Sequence, residues 1–161
     1  MAVYGNGEVL VTVPYGVSDL VVQKFVYEKS AWIMRKINIF RQYDFGVDVY
    51  DKDNFAKYKN SAGILINKRI LHFNRDGVFC INDVCVRKQK TRWGSCSQKG
   101  NLNFNYKILF LPKKLQDYIV VHELCHLKEF NHSQNFWKLV GSILPEYKDL
   151  RADLKKYSLL L

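Results

Sequence analysis

Three of the four histidines, His122, His126 and His132, fall within eleven residues of the chain. The first two belong to His122-Glu123-Leu124-Cys125-His126, an H-E-x-x-H sequence. A helix advances ~100° per residue, so His122 and His126 are ~40° apart, one turn up the same face. Two imidazoles so placed can share one zinc ion at ~2.0–2.1 Å. Glu123 is rotated ~60–100° from both. That is too far for a natural third ligand and near enough to reach a water on the metal. Val120, Leu124 and Leu127 point the opposite way. The helix is therefore expected to carry metal chemistry on one face and packing on the other.

A catalytic zinc takes a third protein ligand and keeps one position open. His132 lies six residues after His126, where a continuing helix would aim it away from the metal. The chain is therefore expected to turn soon after Glu129. The helix is read as ending near Phe130, with Asn131 making the turn, since Asn tolerates the left-handed conformation of many helix ends. His132 then swings back as third ligand. The spacing matches H-E-x-x-H-x-x-G-x-x-H, except that Glu129 stands at the glycine position. Glu129 and Glu146 stay open as alternative third ligands. Cys125 is ~60° from His122 and reads as a buried neighbour.

Arg92-Trp93-Gly94-Ser95-Cys96 forms a second cluster. Trp93 is suited to packing or stacking, Gly94 to a close backbone approach, and Cys96 to burial. The leading chemistry is peptide hydrolysis, with zinc as Lewis acid and Glu123 as general base. Arg92, Tyr106 and Tyr118 are the candidates for a second donor to the developing oxyanion, and Arg92 and Trp93 for the walls of the cleft. A second reading keeps the metal and changes the substrate. Eight basic residues and no acidic one lie between Val86 and Gln116, which suits the phosphates of a nucleotide and a phosphoanhydride hydrolase. A third reading is a protease acting on nucleic-acid-associated proteins, with the same basic stretch and Trp93 contacting phosphates and bases.

Composition sets the frame for these readings. The chain has 161 residues, 48% of them hydrophobic, 25% charged, and a formal net charge of +10. These values suit one globular domain, an N-terminal strand and helix segment over 1–50 and a metal-binding core over 51–161. A basic balance favours acidic partners. No apolar run reaches the ~18–20 residues of a membrane span, and no signal peptide is recognisable, so a cytoplasmic protein with reduced thiols is expected and a membrane partner is not. The four cysteines form no C-x-x-C pair, which argues against a zinc ribbon.

The elements that must position the site follow from periodicity. Residues 8–13 alternate like a strand after a Gly-Asn-Gly turn, with only Met1 to Tyr4 left to form a first strand, which is then a stub or belongs to a chain that starts late. Ser18 reads as the N-cap of a helix to about Gln42, carrying Leu20, Val21, Phe25, Trp32, Ile33, Ile37 and Phe40. A second helix is expected from about Asn54 to Asn74, carrying Ile64, Leu65, Ile70 and Leu71, before an Asp76-Gly77 turn. Residues 84–106 read as an antiparallel pair with an irregular connection. Helices follow after Pro112, between Ser133 and Pro145, and from about Glu146 to Tyr157.

The ordered set RWGSCS at 92–97, NLNFN at 101–105, Pro112, DYIVVHELCHL at 117–127 and NHSQNFW at 131–137 resembles the YgjP-like/SprT-like zinc metallopeptidases. The resemblance runs from about Val9 to Leu154 and is dense from Val86 onward. It implies an α+β, small zincin-like domain, with a short antiparallel sheet packed on a metal-binding helix and further helices around it. It also implies one zinc held by His122, His126 and His132, and Glu123 as general base. The RWGSC segment then belongs to the strand region beside the metal helix. The chain departs from such relatives in its short N-terminal strand and in lacking the zinc ribbon that some SprT-like proteins carry.

Overall fold

The computed structural model describes residues 1–3, 7–43 and 54–161. They form two compact units, Met1–Asn54 and Phe55–Leu161. The Gly5-Asn6 part of the first turn and the expected 50/51 boundary lie outside the described residues.

In the first unit β1 (Ala2–Val3) pairs antiparallel with β2 (Val9–Leu10). Strand β1 spans two residues. Ser18 precedes α1 (Asp19–Glu28), and α2 (Ser30–Tyr43) follows. The expected single helix is thus two, parted at Lys29, where ψ rises to 2° and interrupts the run of helical dihedrals. Within its apolar stripe Ile33 is buried, whereas Leu20 and Val21 are exposed.

Helix α3 (Asn54–Phe73) belongs to the second unit from Phe55 onward and buries Ala62, Ile66 and Ile70 at three-and-four spacing. Ile64 and Leu71, expected on the apolar face, are exposed. Gly77, at φ +66°, makes the turn after α3, and its N–H donates to the Asn74 carbonyl. Three strands follow: β3 (Asp83–Arg87), β4 (Gly94–Cys96) and β5 (Asn101–Asn105).

Their order is β3-β5-β4, with β3 parallel and β4 antiparallel to β5. The sheet is therefore mixed, not the antiparallel pair expected from alternation over 84–106. The reason lies in the six-residue connection at 88–93. It carries the chain across a gap of about two strand spacings, ~10 Å, and β5 returns into that gap. Gly100, at φ +77°, turns β4 back into β5. Alternation reports which face each residue takes, and it is identical for parallel and antiparallel neighbours. Leu102 and Phe104 on β5 are fully buried.

A 3-10 turn over Tyr106–Phe110 leads through Pro112 into α4 (Lys113–His126), the central helix. Its Leu115, Ile119, Val120 and Leu124 are all buried, as the stripe implied. Around it pack β4, α5 (Gln134–Ile143) and α6 (Tyr147–Lys156). Ser133 caps α5, its hydroxyl accepting from the Phe136 N–H at 3.4 Å. Helix α3 is held to α4 by an Arg69–Asp117 ion pair, and to the turn before α4 by edge-to-face contacts of Phe55 with Tyr106 and of Tyr58 with Phe110. The architecture is α+β.

Candidate metal centre and active site

Helix α4 places His122, Glu123 and His126 in its last turn. The helix ends at His126, earlier than the expected Phe130. Leu127 is its C-cap, and the next two N–H groups donate back to the Cys125 carbonyl. The chain then turns through 129–132 and returns His132 to the same place. The ligating atoms of His122, His126 and His132 all lie within 4.8 Å of one another. His122 Nε2 and His132 Nε2 are 3.0 Å apart. Two nitrogens on one tetrahedral zinc are separated by ~3.3 Å, so the cluster fits such an ion with a small adjustment. His126 Nδ1 is 3.0 Å from the Glu129 carbonyl, which accepts from it and leaves Nε2 free to face the other imidazoles. It is the backbone of Glu129, not its carboxylate, that serves the site. Among the described residues no other group of histidine, cysteine or carboxylate side chains gathers in this way, and Glu146 is not part of the cluster.

Aromatic rings from α5 hold these imidazoles. Phe136 stacks on His126 with centroids 4.5 Å apart, and Trp137 stacks on His132 at 5.5 Å. Burial and the neighbouring His126 and His132 push His122 down to about 3, so its imidazole is neutral and able to ligate.

Glu123 is 5% exposed, and its Oε2 is buried without a hydrogen-bond partner. Burial pushes its carboxyl up to about 8, while the Arg92 charge acts in the opposite sense. Gly94 lies directly against it: a Cβ there would sit 2.6 Å from Glu123 Oε1. The close backbone approach expected at Gly94 is thus an approach to this carboxylate. The β4 end that carries Gly94 is held from behind by Asn105. Its Nδ2 donates to the carbonyls of Gln89 at 2.8 Å and Arg92 at 3.1 Å, and its N–H donates to the Trp93 carbonyl at 2.7 Å.

A cavity of about 210 Å³ opens onto Glu123 and His122, walled by Trp93, Gly94, Tyr118, Ile119 and Leu154. A histidine triad that could hold a metal ion, a buried carboxylate and an adjoining cleft are the parts a hydrolytic metal site needs.

The profile of the YgjP-like metallopeptidase domain matches residues 53–157. The chain belongs to the YgjP-like family. It is a hydrolase of the metallopeptidase kind. Among solved structures, the metallopeptidase zymogen of Pyrococcus abyssi abylysin superimposes with a TM-score of 0.50 at 26% identity, covering 55% of this chain and 90% of that one. No curated protein gives a significant match.

Within this YgjP-like domain the residues singled out from sequence separate into four groups. His122, Glu123, His126, His132, Trp93 and Tyr118 come together at the cleft. Arg92 is exposed on the loop before β4, with its charge felt at Glu123. Tyr106 is 1% exposed and packs against Phe55 and Phe110, away from the cavity wall. Cys125 is fully buried, and Cys96 is half-buried with a thiol that both burial and Glu123 hold protonated. All four cysteines are free.

Sequence reasoning passed over Asn105 and Leu154. Asn105 stood in plain view in NLNFN, where an Asn between buried neighbours needs hydrogen-bond partners. Leu154 lies on α6, and only the packing of α6 on α4 brings it to the cavity. Among the described residues no helix is long and apolar enough to cross a membrane.

Proposed function

We propose that this YgjP-like domain is a zinc-dependent peptidase in which His122, His126 and His132 hold one zinc and Glu123 is the general base. The observation that carries the reading is Glu123 itself: a buried carboxylate with an orphaned Oε2, beside three converging imidazoles. A buried carboxylate left unpartnered is costly, and structures keep such a group where chemistry uses it.

Zinc in such a triad supplies a Lewis acid that polarises a carbonyl and brings the pKa of a water towards ~7. The chain does the rest. Glu123 Oε2 accepts the proton of the attacking water and delivers it to the departing amine. Gly94 backs the carboxylate so that it cannot recede from the cleft. His126 is oriented by the Glu129 carbonyl, and His132 by the indole of Trp137.

The cavity favours a peptide as substrate. At about 210 Å³ it holds roughly seven waters' worth of space, enough for one side chain. Its walls are Trp93, Ile119, Leu154, Tyr118 and the glycine, with no lysine or arginine to meet a phosphate. The cationic Lys59 and Arg87 line a different groove, between α3 and β3.

The test is a paired assay of zinc-loaded protein on peptides and on nucleoside triphosphates, with Glu123→Gln as control. Peptide hydrolysis is expected, with a loss of ~10²–10⁴-fold in Glu123→Gln at unchanged zinc content. Loss of zinc in that variant would make Glu123 a ligand or a support of one. Hydrolysis of the triphosphate alone would replace the substrate class.

A further inference from the structure

The cavity beside Glu123 has one wall that the chemistry does not need. His122, Glu123 and Gly94 belong to its reacting end, and Trp93, Tyr118 and Ile119 are buried core residues. Among the described residues that line it, only Leu154 comes from α6. Leu154 is half-buried, and its helix is anchored on both sides of it. Leu150, one turn before, and Tyr157, three residues later, are both buried. Residues at this spacing share one helix face, so the face that α6 turns inward is fixed and Leu154 is held at the cavity.

What the cavity takes follows from what Glu123 does. Its proton goes to the departing nitrogen, and that nitrogen is bonded to the α-carbon of the residue that becomes the new amino terminus. The side chain of that residue begins two bonds from the nitrogen. The side chain on the carbonyl side begins a bond further away, beyond the carbon that water attacks. A cavity with Glu123 in its wall therefore lies against the amine-side residue. Its volume is about 210 Å³. Apolar cavities of ~150 Å³ take up benzene, so the space suits a leucine, methionine or phenylalanine side chain and is left underfilled by alanine. An aspartate or glutamate would face Glu123 and lose its water, with no cation in the walls to pair with. A lysine or arginine would engage the carboxylate that the reaction needs free.

We propose that this cavity receives the side chain of the residue whose amine is released, so that the chain cuts peptides before large apolar residues, and that Leu154 sets the size of side chain accepted. The assignment rests on the peptidase reading above and narrows its substrate class. Burying a large apolar side chain there separates good substrates from poor ones by about one to two orders of magnitude. Leu154 is the wall residue that can be shortened or enlarged without touching the reacting end, so the preference should follow its size.

The experiment digests a mixture of random-sequence octapeptides with zinc-loaded wild type, Leu154→Ala and Leu154→Phe, and reads the cut positions by mass spectrometry. One cleaved peptide is then remade with alanine, leucine, phenylalanine, tryptophan, glutamate or lysine on the amine side of the cut, and kcat/KM is measured for each. Calorimetry follows binding of the alanine, leucine and phenylalanine peptides to Glu123→Gln, which should hold a peptide without cutting it. Wild type is expected to favour leucine and phenylalanine over alanine by ~10–10²-fold, and Glu123→Gln to bind the three in the same order. Leu154→Ala should move the optimum towards tryptophan. Leu154→Phe should slow the phenylalanine and tryptophan peptides at least ~10-fold while the alanine peptide stays within about threefold. Zinc content should be unchanged in both. Cleavage without preference at this position, or a preference that both Leu154 variants leave unchanged, overturns the assignment while the peptidase stands. If both variants lose zinc, Leu154 is a packing residue and its part in the assignment falls. If zinc-loaded wild type cleaves no peptide, the peptidase reading falls, and this assignment with it.

Discussion

Gly94 on β4 and Glu123 on α4 are packed so closely that a Cβ on residue 94 would lie 2.6 Å from Glu123 Oε1 and 2.7 Å from its Cγ. No side chain fits there without moving the carboxylate. The glycine in RWGSC is thus explained by the glutamate in HELCH, although the two are distant in sequence. Its neighbour Trp93 walls the same cavity, and Asn105 clasps the loop from which both residues emerge.

Replacing Gly94 by Ala should therefore damage chemistry more than folding. Overpacking is expected to cost ~1–3 kcal/mol of stability. A base displaced by a fraction of an ångström to an ångström is expected to cost ~10²-fold in hydrolysis. Zinc content should stay near wild type, since the three imidazoles are untouched. Peptidase assays beside metal analysis check this, and a fully active Gly94→Ala enzyme would contradict the role given to this contact.

The ligand assignment separates His132 from Glu146. His132→Ala should weaken zinc retention against a competing chelator by at least an order of magnitude, while Glu146→Ala leaves it unchanged. His122→Ala or His126→Ala should remove the metal outright. Retention of zinc by His132→Ala together with its loss from Glu146→Ala would move the third ligand to the start of α6.

The Arg69–Asp117 pair joins α3 to the central helix, and its side chains are 13% and 15% exposed. Removing one partner leaves a poorly solvated charge behind, so Asp117→Ala should cost ~3 kcal/mol in urea unfolding. The double variant Arg69→Met/Asp117→Leu should cost less than the sum of its single changes. Additive losses would show that the pair is not coupled.

Cys96 offers a pH test that does not depend on substrate. Burial, and next the charge of Glu123, push its thiol up to about 11. The thiolate is the reactive form, and at pH 8 it is then ~0.1% of the population. Alkylation of Cys96 by iodoacetamide should accordingly lag behind that of the exposed Cys80 and accelerate about tenfold per pH unit until pH approaches 11. Above about pH 8, where Glu123 is ionised, its carboxylate disfavours the neighbouring thiolate, so Glu123→Gln should make Cys96 react faster there. Peptide mass mapping follows each site, and a Cys96 rate flat in pH would contradict the assignment.

Much of this site was legible along the chain because its logic is local. The pitch of a helix alone puts His122 and His126 one turn apart with Glu123 to the side. Ser133 announces the start of α5, and the stripe through Leu115, Ile119 and Leu124 marks the buried face of α4, since helical periodicity comes from backbone hydrogen bonding and needs no partner. The insertion of β5 between β3 and β4 was not legible, because alternation assigns a residue to a face and says nothing of the direction of the neighbouring strand. Nor was the separation of Tyr106 from Tyr118. Both are aromatic residues near the motif, and only packing sends one into the core beside Phe55 and the other to the cavity. The place of α6 is the furthest from local rules. Leu154 reaches the cavity because the helix docks on α4, and that docking is the sum of many weak contacts between residues that no spacing along the chain connects.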